Sequence, residues 1–225
     1  MTAVEKITPQ ETLDLLARLP KANAALDPLR AALRAPAPEG MDQFGRHGRA
    51  WAATYLETLA QMSAYASQMN QRLGELEQNL TLIIFGEYLN QLVGGLPMSQ
   101  GEIVRPSDLG FADGLPGFDD GDVEHLRAHA NTAQRRASMA QLMLAQGQIE
   151  ADAGLDETHT MISDQFRRFA DEKVIPHAHG WHLRDELIPL PLIEELGQLG
   201  VFGLTVPEEF GGMGLGKQAM CVVSE

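Results

Sequence analysis

Residues 46–93 read RHGRAWAATYLETLAQMSAYASQMNQRLGELEQNLTLIIFGEYLNQLV and carry the strongest periodic pattern in the chain. Apolar side chains recur every three or four residues, which places them on one face of a helix. This apolar stripe consists of Trp51, Tyr55, Leu59, Met62, Ala66, Met69, Leu73, Leu76, Leu80 and Ile83. The pattern predicts a buried, helix-packing face. An unbroken helix would be ~70 Å long, and a break at Gly74 or Gly86 would give two helices instead.

Short helices are predicted before this segment. Residues 8–11 (TPQE) have a capping-box pattern with proline at the first helical position, which predicts a helix to about Leu19, before Pro20. A second short helix is predicted to end near Arg34, before the proline-rich stretch APAPEG at residues 35–40.

The chain after residue 93 divides into a loop, a helix and a boundary. Residues 96–121 are rich in glycine and proline and predict a long irregular connection. A helix is predicted over residues 122–150, and small side chains on one side suggest close helix approach. That side consists of Val123, Leu126, Ala130, Ala133, Ala137 and Ala140. ADAGLD at 151–156 breaks the pattern, so we place a domain boundary between residues 153 and 154.

The last third also predicts helices, separated by a glycine-rich loop. One helix covers residues 157–174 and stops before Pro176, and a shorter one follows the Pro189-Leu190-Pro191 signal and ends at Gly200. Residues 201–216 (VFGLTVPEEFGGMGLG) form the loop, and a further helix begins near Lys217. The fold class predicted from these elements is all-α.

Composition excludes several classes of partner. The formal net charge is −14, so neither nucleic acid nor an anionic membrane is expected to bind, because both require clustered Lys and Arg. A single cysteine excludes an internal disulfide. The first residues lack a signal-peptide pattern, and no stretch approaches the ~18 apolar residues of a membrane span. We therefore expect a cytoplasmic protein.

The chemical motifs are weak. GGMGLGK at 211–217 approaches a phosphate-binding loop, but Gln218 stands where Ser or Thr would ligate magnesium, so a tight loop is the better interpretation. His125 and His129 have a spacing that suits two metal ligands, without a nearby third.

Two further features are predicted to have neither a metal-binding nor a catalytic role. The cluster His177, His179 and His182 suits a polar loop better than a metal site, and Cys221 lies in an apolar stretch that predicts a buried, unreactive thiol. No residue is therefore assigned as catalytic, cofactor-binding or metal-binding.

From about Thr158 onward the sequence resembles the N-terminal helical domain of acyl-CoA dehydrogenases. The resemblance is carried by Phe166-Arg167 with Phe169, by residues 172–176 (EKVIP), 191–196 (PLIEEL) and 199–203 (LGVFG), and most specifically by residues 206–215 (VPEEFGGMGL). It covers roughly 70 residues of the chain.

This resemblance implies an FAD-dependent oxidation of an acyl-CoA thioester to the 2,3-enoyl-CoA, with an electron-transferring flavoprotein as acceptor and a homo-oligomeric enzyme. The family's glutamate base and flavin contacts lie downstream of the matching segment, so none is carried onto a residue here. The chain alone is expected to be inactive.

The first 150 residues depart from ordinary family members. Residues 85–92, 97–103 and 105–110 resemble the extension found in the branch of the family that oxidises (2S)-methylsuccinyl-CoA to mesaconyl-CoA in the ethylmalonyl-CoA pathway. Two alternatives remain open. One is a non-catalytic acidic helical adaptor, against which the glycine-rich VPEEFGG loop argues; the other is a different dehydrogenase or oxidase of the same family.

Overall fold

The computed structural model describes residues 7–147 and 151–225, which fall into two compact units, Met1–Asp152 and Ala153–Glu225. The all-α prediction is confirmed, with one two-stranded antiparallel ribbon as the exception. The first unit contains α1 (Pro9–Leu16), α2 (Leu19–Ala25), α3 (Asp27–Arg34), α4 (Gln43–Met69), α5 (Glu75–Gly94), β1 (Leu96–Pro97), β2 (Ile103–Val104), α6 (Gly121–His129) and α7 (Ala133–Gln146). The second contains α8 (Glu157–Phe169), α9 (Ile175–Leu183), α10 (Leu190–Gln198) and α11 (Lys217–Ser224).

The predicted capping box starts α1. The Glu11 amide donates to the Thr8 hydroxyl at 3.2 Å, and the Thr8 amide donates to the Glu11 carboxylate at 2.7 Å. The predicted end near Leu19 is wrong, because α1 ends at Leu16 and Pro20 lies in the first turn of α2. Proline is tolerated there because a first-turn amide needs no helical acceptor.

The long periodic segment forms two helices, α4 and α5. The break begins at Asn70, which has a positive φ of 42°, and ends at Gly74, the N-cap of α5. Of the two glycines considered, Gly74 therefore marks the break, whereas Gly86 lies buried inside α5.

The core of the first unit is built around α5. The stripe prediction is confirmed for Tyr55, Leu59, Met69, Leu73 and Leu76, all of which are buried. Beyond Leu76 it is displaced. Leu80 and Ile83 are only half-buried, and the fully buried positions are Leu82, Phe85, Leu89 and Leu92. Leu76 still lies on the inner face of α5, which continues through Asn79, Leu82 and Phe85, so the predicted stripe leaves this face at Leu80.

Gly86 allows α5 to approach the C-terminal end of α6 closely. A Cβ at this position would lie 3.0 Å from the Ala130 Cβ and 3.0 Å from the Asn131 amide nitrogen. Real Cβ atoms rarely pack so tightly against backbone, so the helix pair would have to separate.

Replacing Gly86 with valine is therefore expected to destabilise the first unit by about 1–3 kcal/mol through overpacking. Urea unfolding followed by circular dichroism at 222 nm measures the loss. Gly94→Val is the matched control, because a Cβ at Gly94 meets no atom within 4 Å. Equal losses in the two variants would show that helix propensity, rather than close packing, sets the effect.

The connection 96–121 is largely irregular, as predicted, and its apolar side chains complete the core. Leu96, Val104, Leu109, Leu115 and Phe118 are buried with the helices of the first unit.

The buried Arg49 of α4 anchors this connection. Its guanidinium donates to the Leu109 carbonyl at 3.0 Å and to the carbonyl groups at the C-terminus of α3, the nearest being Ala32 at 2.7 Å. One arginine thus satisfies carbonyl groups of both α3 and the connection, which a helix end would otherwise leave without donors.

The single helix predicted over residues 122–150 is wrong in its middle; residues 148–150 lie outside the described part. The chain breaks after α6, and the Thr132 hydroxyl caps α7 by accepting from the Arg135 amide at 3.1 Å. Val123, Leu126 and Ala130 are buried as predicted. Beyond the break the predicted small-residue face is not the inner one, because Ala133 and Ala140 are exposed while Arg135 is buried.

The last residue of the first unit, Asp152, is held at the α4–α5 break. Its carbonyl accepts from the Tyr65 hydroxyl at 2.5 Å, its amide donates to Glu77 at 2.9 Å, and its carboxylate accepts from Arg72 at 3.0 Å. Two of these three bonds involve the backbone, so they fix the position of the chain as it leaves the first unit. The domain boundary at residues 153/154 stays a prediction.

In the second unit, the predicted helix end before Pro176 is wrong. The helix passes through a wide π turn at Ala170–Val174 and continues as α9, with Pro176 in the first turn. The wide turn restarts the hydrogen-bond ladder, so the missing proline amide has no helical bond to break. The helix opened by the proline pair is confirmed as α10, followed by Gly200 with a φ of +82°.

The second unit has little core of its own. Leu204 and Ala219 are its buried apolar residues among those described. Many large apolar side chains are exposed instead, and these are Met161, Ile175, Leu183, Leu187, Ile188, Leu190, Ile193, Phe202, Phe210, Met213 and Met220. Exposed apolar surface of this extent is typical of a face that packs against further protein.

Candidate functional site

The glycine-rich loop of the second unit folds back on itself. Its amides donate to carbonyl groups of the preceding residues 203–208. The bonds are Gly211 to Glu208 at 2.9 Å, Gly212 to Pro207 at 3.2 Å, Met213 to Gly203 at 2.9 Å, Gly214 to Val206 at 2.9 Å and Leu215 to Leu204 at 2.8 Å. The glycines therefore serve a tight, internally bonded turn.

This geometry argues against a phosphate cradle. A phosphate-binding loop directs consecutive amide groups toward the anion, whereas five consecutive amides here, from Gly211 to Leu215, already have carbonyl acceptors. The tight-turn interpretation explains the loop, and the loop does not fit the pyrophosphate of a dinucleotide cofactor such as FAD.

Gly212 is required by a close backbone approach within this loop. A Cβ there would lie 2.1 Å from the Val206 carbonyl oxygen, well inside the contact distance of the two atoms.

Gly212→Ala is expected to open the loop and to destabilise the second unit by about 1–3 kcal/mol. Trp181 lies in α9 of the second unit and Trp51 in the first, so Trp181 fluorescence in a Trp51→Phe background follows this unit. Gly216→Ala is the control, because its Cβ meets no atom within 4 Å. Equal unfolding midpoints for the two alanine variants would contradict the close-approach argument.

The histidine pair of the first unit lies on α6. The His125 and His129 rings are 4.5 Å apart, and the pKa of His125 is lowered, first by burial and then by the nearby Arg18 cation. Arg18 itself pairs with Asp122. In residues 7–147 and 151–225 no group of three or more His, Cys, Asp or Glu side chains is arranged to hold a metal ion.

The second histidine cluster does not form the predicted loop. His177, His179 and His182 lie on helix α9, where the His177 ring packs against Trp181 with ring centroids 5.7 Å apart. The odd spacing suggested a loop because Pro176 was taken as the end of the helix.

The prediction of a buried Cys221 is wrong, because its thiol is exposed. On helix α11, Ala219 faces inward. The apolar residues next to Cys221 in sequence lie on both sides of this helix.

One polar cleft in the first unit was not predicted. It has a volume of about 300 Å³, and its walls come from α1, α6 and the start of α7. Its residues include Glu11, Asp14, His125, His129 and Arg135. Sequence patterns do not predict this cleft, because nothing in them distinguishes the buried Arg135 from its exposed neighbour Arg136. Among the residues that the structure describes, no helix is both long and apolar enough to cross a membrane.

Known proteins resemble both parts of the chain to different extents. Residues 156–225 match the family model described as acyl-CoA dehydrogenase, N-terminal domain. The chain is 52% identical over 188 residues to (2S)-methylsuccinyl-CoA dehydrogenase of Cereibacter sphaeroides, a match that covers 82% of this chain and 34% of that protein. Benzylmalonyl-CoA dehydrogenase of Aromatoleum aromaticum is 37% identical over 71 residues, 32% of this chain and 19% of that protein.

The human mitochondrial short-chain specific acyl-CoA dehydrogenase is 32% identical over 100 residues, 44% of this chain and 24% of that protein. The chain thus spans about a third of the length of the Cereibacter sphaeroides protein and less of the other two. The second unit, Ala153–Glu225, cannot contain a match of 188 residues, so most of the similarity to the bacterial methylsuccinyl-CoA enzyme lies in the first unit.

Proposed function

Because residues 156–225 belong to the acyl-CoA dehydrogenase family, we propose that the chain is part of a longer FAD-dependent enzyme that oxidises (2S)-methylsuccinyl-CoA to mesaconyl-CoA. The substrate is proposed from the length of the match to (2S)-methylsuccinyl-CoA dehydrogenase. The benzylmalonyl-CoA enzyme resembles this chain over 71 residues, which the second unit alone could contain, and the short-chain enzyme resembles it over 100 residues. The methylsuccinyl-CoA enzyme resembles it over 188 residues, most of which lie in the first unit.

The reaction removes one proton and one hydride from adjacent carbons of the acyl group. It requires a base beside the carbon next to the thioester and a flavin ring that accepts the hydride. The glycine-rich loop of the second unit does not fit a pyrophosphate, since its amides from Gly211 to Leu215 are already bonded. We therefore assign flavin binding and the base to parts of the longer enzyme outside this chain.

The role of the second unit follows from its exposed apolar side chains. A unit with two buried apolar residues among those described cannot supply its own core. In the proposed enzyme, further protein covers this surface. We further propose that this enzyme is a homo-oligomer and that it passes electrons to an electron-transferring flavoprotein.

The test is a comparison of thioester substrates on the complete, FAD-loaded enzyme with an artificial electron acceptor. We expect kcat/KM for (2S)-methylsuccinyl-CoA to exceed that for benzylmalonyl-CoA, glutaryl-CoA and butyryl-CoA by about tenfold or more, which corresponds to ~1.4 kcal/mol of transition-state discrimination. A higher value for any of the other three would assign a different member of the family. Purification without flavin and without activity on any thioester would favour the adaptor hypothesis.

A further inference from the structure

Arg135 is a buried cation that contacts no carboxylate of the described residues. Its side chain is 1% exposed, and its Nη1 donates to the Asn79 amide oxygen at 2.8 Å and to the Thr12 hydroxyl at 3.2 Å. Both acceptors are neutral. The buried Nε has no acceptor among the described residues. Burial lowers the pKa of this guanidinium, and Glu11 offsets part of the effect.

This situation is unusual because charged groups are rarely buried unless they are paired. The two hydrogens of Nη1 are used by Asn79 and Thr12, so the donors on the Nε side of the guanidinium are the ones left over. That side is a planar pair of N–H groups whose geometry matches the two oxygens of a carboxylate.

Arg135 is among the residues that line the polar cleft described above. Its Nε is itself buried, so a ligand in the cleft contacts it only when side chains of the cleft wall move. The acidic groups on the cleft wall are engaged elsewhere: one oxygen of Glu11 accepts from Thr8, and one oxygen of Asp14 accepts from Gln10. Their negative charges nevertheless disfavour a multiply charged anion in this cleft. A single negative charge spread over two planar oxygens fits best.

We propose that the cleft between α1, α6 and α7 binds a small monocarboxylate, which pairs with the Nε side of Arg135. The ligand supplies a carboxylate in direct contact, whereas Glu11 acts on Arg135 only from a distance. The site belongs to the first unit, and it is independent of the dehydrogenase reaction.

The probe is acetate, compared with chloride at constant ionic strength. Thermal unfolding of the 225-residue chain is followed by Trp51 fluorescence in a Trp181→Phe background, which leaves one tryptophan, on α4 of the first unit. We expect the midpoint to rise with acetate along a saturating curve, because a ligand that binds the folded state stabilises it by mass action. Arg135→Gln should abolish the acetate-specific rise, whereas the exposed neighbour variant Arg136→Gln should keep it.

A second pair of variants decides the question if Arg135→Gln does not fold. Asp14→Asn removes a negative charge from the cleft wall and should tighten acetate binding about threefold. Glu57→Gln changes the net charge equally on the exposed side of α4 and should leave the affinity unchanged.

Four results would overturn the proposal: no saturating response to acetate in the parent chain, an equal response in Arg135→Gln, equal affinities in Asp14→Asn and Glu57→Gln, or tighter binding of inorganic phosphate than of acetate. The first would indicate that water or Glu11 alone satisfies the arginine.

Discussion

Replacing Phe85 with aspartate is expected to abolish cooperative folding of the first unit. Phe85 is fully buried at the centre of the core around α5. Loss of a buried phenylalanine side chain costs about 3–5 kcal/mol, and an unpaired carboxylate placed in the same apolar site adds a further desolvation cost of several kcal/mol. The sum is comparable to the total stability of about 5–15 kcal/mol that is typical of a domain.

The measurement is urea unfolding of the chain followed by Trp51 fluorescence in the Trp181→Phe background. We expect Phe85→Asp to show no cooperative transition. Val93→Asp is the matched control, because it introduces the same charge on the same helix at a position that is 36% exposed. Phe85→Leu, which keeps most of the apolar volume, should retain a transition at lower urea. An unchanged midpoint for Phe85→Asp would mean that the face of α5 described here is not the core.

Local signals in the sequence predicted the helix starts more accurately than the helix interiors. The capping box at Thr8 and the proline before Leu192 act within one turn, so the neighbouring residues suffice to recognise them. The inner face of a helix depends on what packs against it. Leu80 and Ile83 continued the stripe from Leu76 by spacing, but the face of α5 that is buried continues through Leu82 and Phe85 instead.

Proline was the most misleading signal. Pro20 and Pro176 were both taken as helix ends, and both lie in the first turn of a further helix. A proline lacks the backbone amide hydrogen, and the tertiary structure determines whether a new helix starts at that point. Because Pro176 was taken as the end of a helix, the three histidines that follow it were predicted in a loop, whereas they lie on α9.

The polar cleft between α1, α6 and α7 could not be predicted, because the burial of Arg135, one of its lining residues, is not visible in the sequence. Arg135 and Arg136 are adjacent and chemically identical, yet one is enclosed by α1 and α5 while the other pairs with Glu87 on the surface. The environment of Arg135 is set by contacts with residues more than 50 positions away in the sequence, which local patterns do not reveal. The family resemblance, in contrast, was carried by a short segment in which close backbone approach at Gly212 restricts the residue type.

The 225-residue chain alone is expected to retain no flavin and to oxidise no acyl-CoA. Proton abstraction beside a thioester needs a positioned base, which typically contributes about 10²–10⁴-fold to the rate. Hydride transfer needs a cofactor held against the adjacent carbon. The glycine-rich loop uses its own amides internally, and the described residues of the second unit leave a broad apolar surface exposed. Both features are consistent with a part whose chemistry is completed by further protein.

The decisive comparison is between this chain and the complete enzyme, each incubated with FAD and freed of excess cofactor. The complete enzyme should show a flavin absorption band that bleaches when (2S)-methylsuccinyl-CoA is added, whereas the chain should show neither the band nor turnover with an artificial acceptor. Circular dichroism of the chain must show helix, so that inactivity is not mistaken for unfolding. Since the exposed apolar surface favours association, the chain is measured at several concentrations. A flavin band that the thioester bleaches in the chain alone would place the site within these residues, and the assignment of base and cofactor to other parts of the enzyme would be wrong.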